Sequence, residues 1–158
     1  MKRFIIPAVA LAMAPAAYAA DISVGYSPEF QEALQNDYGM REGERLSEEI
    51  REDLERELRK ANIDPARIDV TILDAKPNRP TMQQAADRPG LDMIRSVSIG
   101  GMDLKGVAFD AQGNAIAELE YDWFETNIRD VYASGTWGDA KRTSSRFARK
   151  FTEKLSGQ

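Results

Sequence analysis

The 158-residue chain contains no cysteine and no histidine. Without cysteine there is no disulfide, no thiolate metal site, no cysteine nucleophile and no lipid-modified N-terminal cysteine. Without histidine the commonest general base and the commonest transition-metal ligand are missing, so a Ser-His-Asp triad is excluded. No Ser-x-x-Lys dyad spacing occurs either, nor a Gly-x-x-x-x-Gly-Lys or Gly-x-Gly-x-x-Gly phosphate loop. Positive charge is in deficit: 21 Lys and Arg against 26 Asp and Glu leave a net charge of −5. That balance argues against nucleic acid as the main partner. Beyond the first twenty residues no apolar run is long enough to span a membrane.

What is present begins with an address. Lys2 and Arg3 precede an apolar stretch, Phe4 to Ala14, and Ala17-Tyr18-Ala19 has the small-x-small pattern of a cleavage site. The stretch is too short for about 30 Å of hydrocarbon, which needs roughly twenty apolar residues. The expectation is a signal peptide over 1–19, cut after Ala19, and a single soluble periplasmic domain over 20–158. Losing Lys2 and Arg3 takes the net charge from −5 to −7. A domain of this size buries enough surface to fold without a disulfide in an oxidising compartment.

Ile22, Val24 and Tyr26 alternate with polar or small residues and predict a strand. Ser27-Pro28 is an N-cap followed by proline at the first helical position, and Gly39 suits the end of the short helix it starts. A longer helix is predicted from about Arg41 to Ala61. Its stripe is Gly43, Leu46, Ser47, Ile50, Leu54, Leu58 and Ala61, and its remaining face is charged and read as solvated. Ile68, Val70 and Ile72 predict a second strand. The stretch from Asp74 to Asp92 then reads as one long loop with Pro77, Pro80, Pro89 and Gly90.

A hairpin follows. Pairing Asp110 with Ala115 sets Ala117, Leu119, Tyr121 and Trp123 opposite Ala108, Gly106, Leu104 and Met102, an apolar face throughout. The other face pairs Glu120 with Lys105 and sets Asp122 opposite Asp103. Val97 and Ile99 have the wrong parity, so a β-bulge is expected at Gly100-Gly101. Val107, Phe109 and Ile116 are unexpected apolar residues on the polar face; a covering helix or loop is expected over them, the alternative being a small exposed patch that marks a contact site. The last helix has an apolar stripe of Trp137, Ala140, Ser144, Phe147, Ala148, Phe151 and Leu155, with Thr136-x-x-Asp139 as its capping signature. The expected fold is α+β: a small open sheet of about four strands, helices mainly on one face, in the order β-α-α-β-β-β-α.

Two groups of residues are candidates for binding. Lys76, Asn78, Arg79 and Thr81 lie in the proline-stiffened loop, where Arg79 offers a planar fork and Asn78 both donor and acceptor. Arg142, Arg146, Arg149 and Lys150 form a basic stripe on the last helix that could meet an anionic polymer or protein, or could be solvated cations near a helix C-terminus. No metal site is expected, because the clustered carboxylates Glu118, Glu120 and Asp122 come from one strand and splay too far for one ion. No catalytic residue and no cofactor is expected.

The signal peptide, the Glu/Arg-rich helix, the Pro-rich loop, the Gly-Gly hairpin and the Trp137-Gly138-Asp139-Ala140 helix start together resemble small periplasmic and envelope proteins of Gram-negative bacteria. The resemblance implies a compact α/β domain accessory to secretion or envelope assembly. Lipid anchoring, frequent among them, does not carry over to a chain without cysteine. The expected function is therefore non-enzymatic: binding or assembling with an envelope protein or polymer. A secreted or periplasmic enzyme inhibitor presenting Lys76 to Thr81 is the alternative, and a carboxylate-based hydrolase the more distant one.

Overall fold

The computed structural model describes residues 20–132 and 134–157. The expected signal peptide over 1–19 lies outside them. Strand β1 (Asp21–Tyr26) leads into helix α1 (Pro28–Ala33), a π-helical turn (Leu34–Tyr38) and the long helix α2 (Met40–Ala61). Strand β2 (Arg67–Lys76), the short helix α3 (Met82–Asp87), the hairpin strands β3 (Gly101–Phe109) and β4 (Ala115–Phe124) and helix α4 (Gly138–Leu155) complete the chain. The four strands form one open sheet in the order β1-β2-β3-β4, parallel between β1 and β2 and antiparallel thereafter. This is the α+β architecture read from the sequence, with α3 added.

The helix starts follow local chemistry. Ser27 Oγ accepts the Phe30 N–H at 3.1 Å, with Pro28 at the first helical position. Asn62 ends α2 in the left-handed conformation, with φ 55°. One face of the sheet supplies Ile22, Ile68, Val70, Ile72, Met102, Leu104 and Ala108 to the core. The helices supply Phe30, Leu34, Leu46, Ile50, Leu54, Leu58, Phe147 and Phe151. On the other face Glu118, Glu120 and Asp122 are exposed, while Asp69, Thr71, Lys105 and Val107 are half-buried.

The hairpin register agrees with the reading residue for residue from Met102–Trp123 to Ala108–Ala117. The Lys105 ammonium, paired in register with Glu120, makes its ion pair diagonally, with Glu118 at 2.8 Å.

Several expectations are corrected. The bulge is not at Gly100-Gly101. It falls on β2, where Leu73 is the extra residue between Ile72 and Asp74, and a second falls on β4 at Ile116, so that Ala115 pairs with Phe109 and not, as expected, with Asp110. Gly100 and Gly101 serve close approach instead: a Cβ would stand 2.6 Å from Asn78 Nδ2 at the first and 2.3 Å from the Trp123 carbonyl oxygen at the second. The Leu73 bulge shifts the alternation, so β2 continues to Lys76 and the expected loop from Asp74 to Asp92 begins later and contains α3. Over Phe109 lies the Arg67 guanidinium, 4.2 Å from its ring centre; Phe109 and Val107 are half-buried and Ile116 is exposed. Ala61, the last residue of α2, is exposed and does not join the buried stripe.

Candidate binding site

At the end of the sheet where β2 stops, three connecting segments meet on one side chain. Asn78 is fully buried. Its Oδ1 accepts the Asp139 N–H at 2.7 Å, and its Nδ2 donates to Asp139 Oδ2 at 2.6 Å and to the Ser98 carbonyl at 3.2 Å. Its backbone N–H donates to the Thr136 carbonyl at 2.7 Å, and its carbonyl accepts the Ser98 N–H at 2.9 Å. Every donor and acceptor of the residue is engaged. Asn78 thus caps α4 from another part of the chain. The expected cap, Thr136 with Asp139, does not form: Trp137 stands at the N-cap without a side-chain bond, and Asp139 Oδ1 accepts the Tyr132 N–H at 3.1 Å.

The remaining residues of the proline-stiffened group divide. Thr81 is buried and forms a reciprocal capping box with Gln84 at the start of α3. Arg79 is half-buried and donates from Nη1 to the Ile94 carbonyl. Lys76 is exposed, its Nζ 5.3 Å from the centre of the Phe124 ring. Two of the four side chains therefore hold the fold together, and two reach the surface. Thr81-x-x-Gln84 was the sequence signal that could have revealed α3.

These bonds fix a segment, 88–100, that displays apolar side chains. Arg88 pairs with Asp37 of the π-helical turn. Asp92 Oδ1 accepts the N–H groups of Ile94 and Arg95 at 2.7 and 2.9 Å, which holds its carboxyl below the usual carboxylate range. Ser98 Oγ donates to the Pro77 carbonyl at 2.6 Å. Leu91, Met93, Ile94, Val97 and Ile99 are nonetheless exposed, Ile94 at 77% and the neighbouring Met82 at 70%.

The basic stripe lies on α4 where that helix crosses β4, and its cations rest on aromatic rings. The Arg142 guanidinium is 4.9 Å from the centre of Tyr132 and 5.9 Å from that of Trp123. Arg146 lies 4.4 Å from Trp123, and Lys150 Nζ 5.5 Å from Tyr121. Arg149 departs from this row and faces Glu153 at 3.9 Å.

The face of α2 read as solvated hides two carboxylates. Asp53 accepts from Ser144 Oγ at 2.7 Å, from Ser145 Oγ at 3.0 Å and from Arg56. Glu42 accepts the Trp137 indole N–H at 2.8 Å and pairs with Arg45 at 3.0 Å. They stitch α2 to α4 and to the segment before it. Beside them a cleft of about 530 Å³ is lined by Arg45, Glu49, Glu52, Thr136, Trp137 and Lys141. The Lys141–Glu49 ion pair, 2.6 Å, joins its two walls.

On the open sheet face the register sets Asp74, Asp103 and Asp122 in one row. Asp103 Oδ1 is buried without a hydrogen-bond partner. Burial first, and then the charges of Glu120, Asp122 and Asp74, push its carboxyl upward. Among the described residues no group of acidic side chains is arranged to hold a metal ion, and no helix is long and apolar enough to cross a membrane.

No family model and no curated protein matches the chain. Among solved structures, a minor lipoprotein from Acinetobacter baumannii is similar at 12% identity with a TM-score of 0.41, over 90% of this chain and 95% of that one.

Proposed function

We propose that the chain is a non-enzymatic domain of the bacterial cell envelope, exported and cut after Ala19, that binds or assembles with an envelope component. The observation that carries this reading is the segment 88–100. It is tied down at Arg88, Asp92, Ile94 and Ser98. Yet it holds five apolar side chains out toward solvent. Apolar groups grouped and kept exposed in this way mark a contact surface. The buried carboxylates support the same reading. Glu42, Asp53 and Asp139 are each engaged in holding one packed element against another.

Two measurements test it. Intact mass of the exported protein should correspond to a chain starting at Ala20; a mass retaining Phe4 to Ala14 sinks the export step. A photo-crosslinking residue placed at Ile94 should give one discrete adduct in envelope extracts, whereas the same group at Glu55 on α2 should give none. Equal labelling at both positions overturns the surface assignment. An adduct at Lys76 in place of Ile94 favours the inhibitor reading.

A further inference from the structure

Helix α4 carries Arg142, Arg146 and Lys150 at intervals of four residues, one ridge about 12 Å long at 1.5 Å per residue. Each cation lies over a ring: Arg142 over Tyr132 and Trp123, Arg146 over Trp123, Lys150 over Tyr121. Arg142 also stands 3.5 Å from the buried Asp139. Among the described residues no carboxylate lies within ion-pair distance of Arg146 or Lys150. Arg146 and Lys150 are therefore cations without an ion-pair partner among the described residues, in a chain whose net charge is −5.

Stacking on a ring restrains a guanidinium without consuming its in-plane N–H donors. The ridge is therefore a line of ring-positioned cations, and the entropy of ordering these long side chains is already partly lost before a ligand arrives. The line is narrow. Glu118 approaches Lys154 at one end, and Glu153 lies on the adjoining turn within 3.9 Å of Arg149. A broad anionic surface would meet these carboxylates, whereas a single thin chain can follow the ridge and avoid them. Nucleic acid is disfavoured because the ring faces on which bases would stack are taken by the cations. An acidic peptide would lose backbone entropy at every residue it orders along the ridge. A ring-locked sugar repeat loses less.

We propose that the Arg142–Arg146–Lys150 ridge binds a linear anionic polysaccharide through its carboxylate or phosphate groups. This deepens the envelope reading by naming a ligand class, but it stands on a different surface from the segment 88–100. The test uses the exported chain and fluorescein-labelled oligogalacturonate, followed by fluorescence anisotropy. Saturable binding is expected, weakening at least about tenfold from about 50 to about 200 mM salt, with none to neutral dextran of equal length. An Arg146→Gln/Lys150→Gln variant should bind at least about tenfold more weakly with an unchanged circular dichroism spectrum. If that variant misfolds, Lys150→Gln alone serves, since this exposed side chain lies over the Tyr121 ring and has no ion pair among the described residues, and a several-fold loss is expected. Ile94→Ser should bind as the parent does, which separates failure of this proposal from failure of the loop surface. Undiminished binding by the α4 variants overturns the proposal. So does equal or tighter binding of polyglutamate, of single-stranded DNA of equal charge or of phosphatidylglycerol vesicles.

Discussion

Strand β3 is entered and left by two connections that satisfy their backbone groups by opposite means. The turn that leaves it, 110–114, is closed from within. Asp110 Oδ1 accepts the N–H groups of Gln112 and Asn114 at 2.9 and 2.8 Å, and the Asp110 N–H donates to the Asn114 carbonyl at 3.0 Å. The connection that enters it, 77–100, has bonds of its own, Asn78 to Ser98 and Ser98 to Pro77 among them, but is also anchored from outside: Asn78 bonds Asp139, sixty-one positions away, and Arg88 reaches back to Asp37. The first can form as soon as its own residues meet. The second forms only once three separate segments have arrived, and long-range closure costs more chain entropy. The turn displays no apolar cluster, whereas the tied-down connection holds out Met93, Ile94, Val97 and Ile99. A loop that must keep apolar groups exposed needs outside anchors to stop it collapsing over them.

If this comparison is right, Asn78→Ala should be the most damaging single change. It removes three side-chain bonds at a fully buried position and leaves the Asp139 N–H and carboxylate under-partnered, for an expected loss of about 3 kcal/mol. Urea unfolding measures it. A cost no greater than that of Asp110→Ala would break the comparison.

Gly100→Ala comes next, because its Cβ would collide with the Asn78 amide. The expected cost is about 1–3 kcal/mol. The two changes should be less than additive, since Asn78→Ala removes the atoms with which the new methyl clashes. A double-mutant cycle reads this coupling, and strict additivity would detach Gly100 from the Asn78 knot.

Two aspartates of this hairpin sharpen the contrast through pH. Asp103 is pushed upward by burial and by Glu120, Asp122 and Asp74. Between the unfolded carboxyl value, near 3.9, and its raised folded value the native state holds more proton than the unfolded one, so this group's contribution falls as pH rises. Asp103→Asn should therefore stabilise the protein at neutral pH by up to about 1 kcal/mol, the scale of a like-charge cross-strand pair, and the gain should vanish below about pH 4. Asp110 is held low by the Asn114 side chain and by backbone N–H groups. Its contribution is present at neutral pH and is lost as pH falls through its lowered folded value. Asp110→Ala should cost least of the three destabilising changes, with the loss shrinking on acidification. Thermal midpoints across pH 3 to 8, values chosen about the carboxyl range, should show the two profiles running in opposite directions.

Much of the fold was legible. The hairpin register followed because only one pairing makes Ala117, Leu119, Tyr121 and Trp123 face an apolar row, and β3 and β4 obey it. The stripes of α2 and α4 were legible for the same reason: periodicity records which side of an element will be buried. The bulge at Leu73 was not, because a single added residue leaves no mark on composition and shifts every later position to the other face. Of the candidate site, Arg142, Arg146 and Lys150 were legible as one ridge. Of the rings beneath them, Tyr121 and Trp123 were legible only as part of β4, and Tyr132 lies in the connection after it.

The sequence by itself determined the elements, the hairpin pairing and the absence of thiol and imidazole chemistry, since these depend on residue type and on spacing along a few turns. Only the tertiary structure decided which polar side chains are surface and which are core. Asn78 resembles a loop recognition residue until Asp139 and Ser98 close around it. Asp53 and Glu42 resemble any exposed carboxylate of a charged helix until Ser144 and Trp137 arrive from more than ninety residues away. Local sequence carries a polar group's capacity to bond. The partner that makes its burial tolerable comes from elsewhere in the chain, and no local pattern can name it.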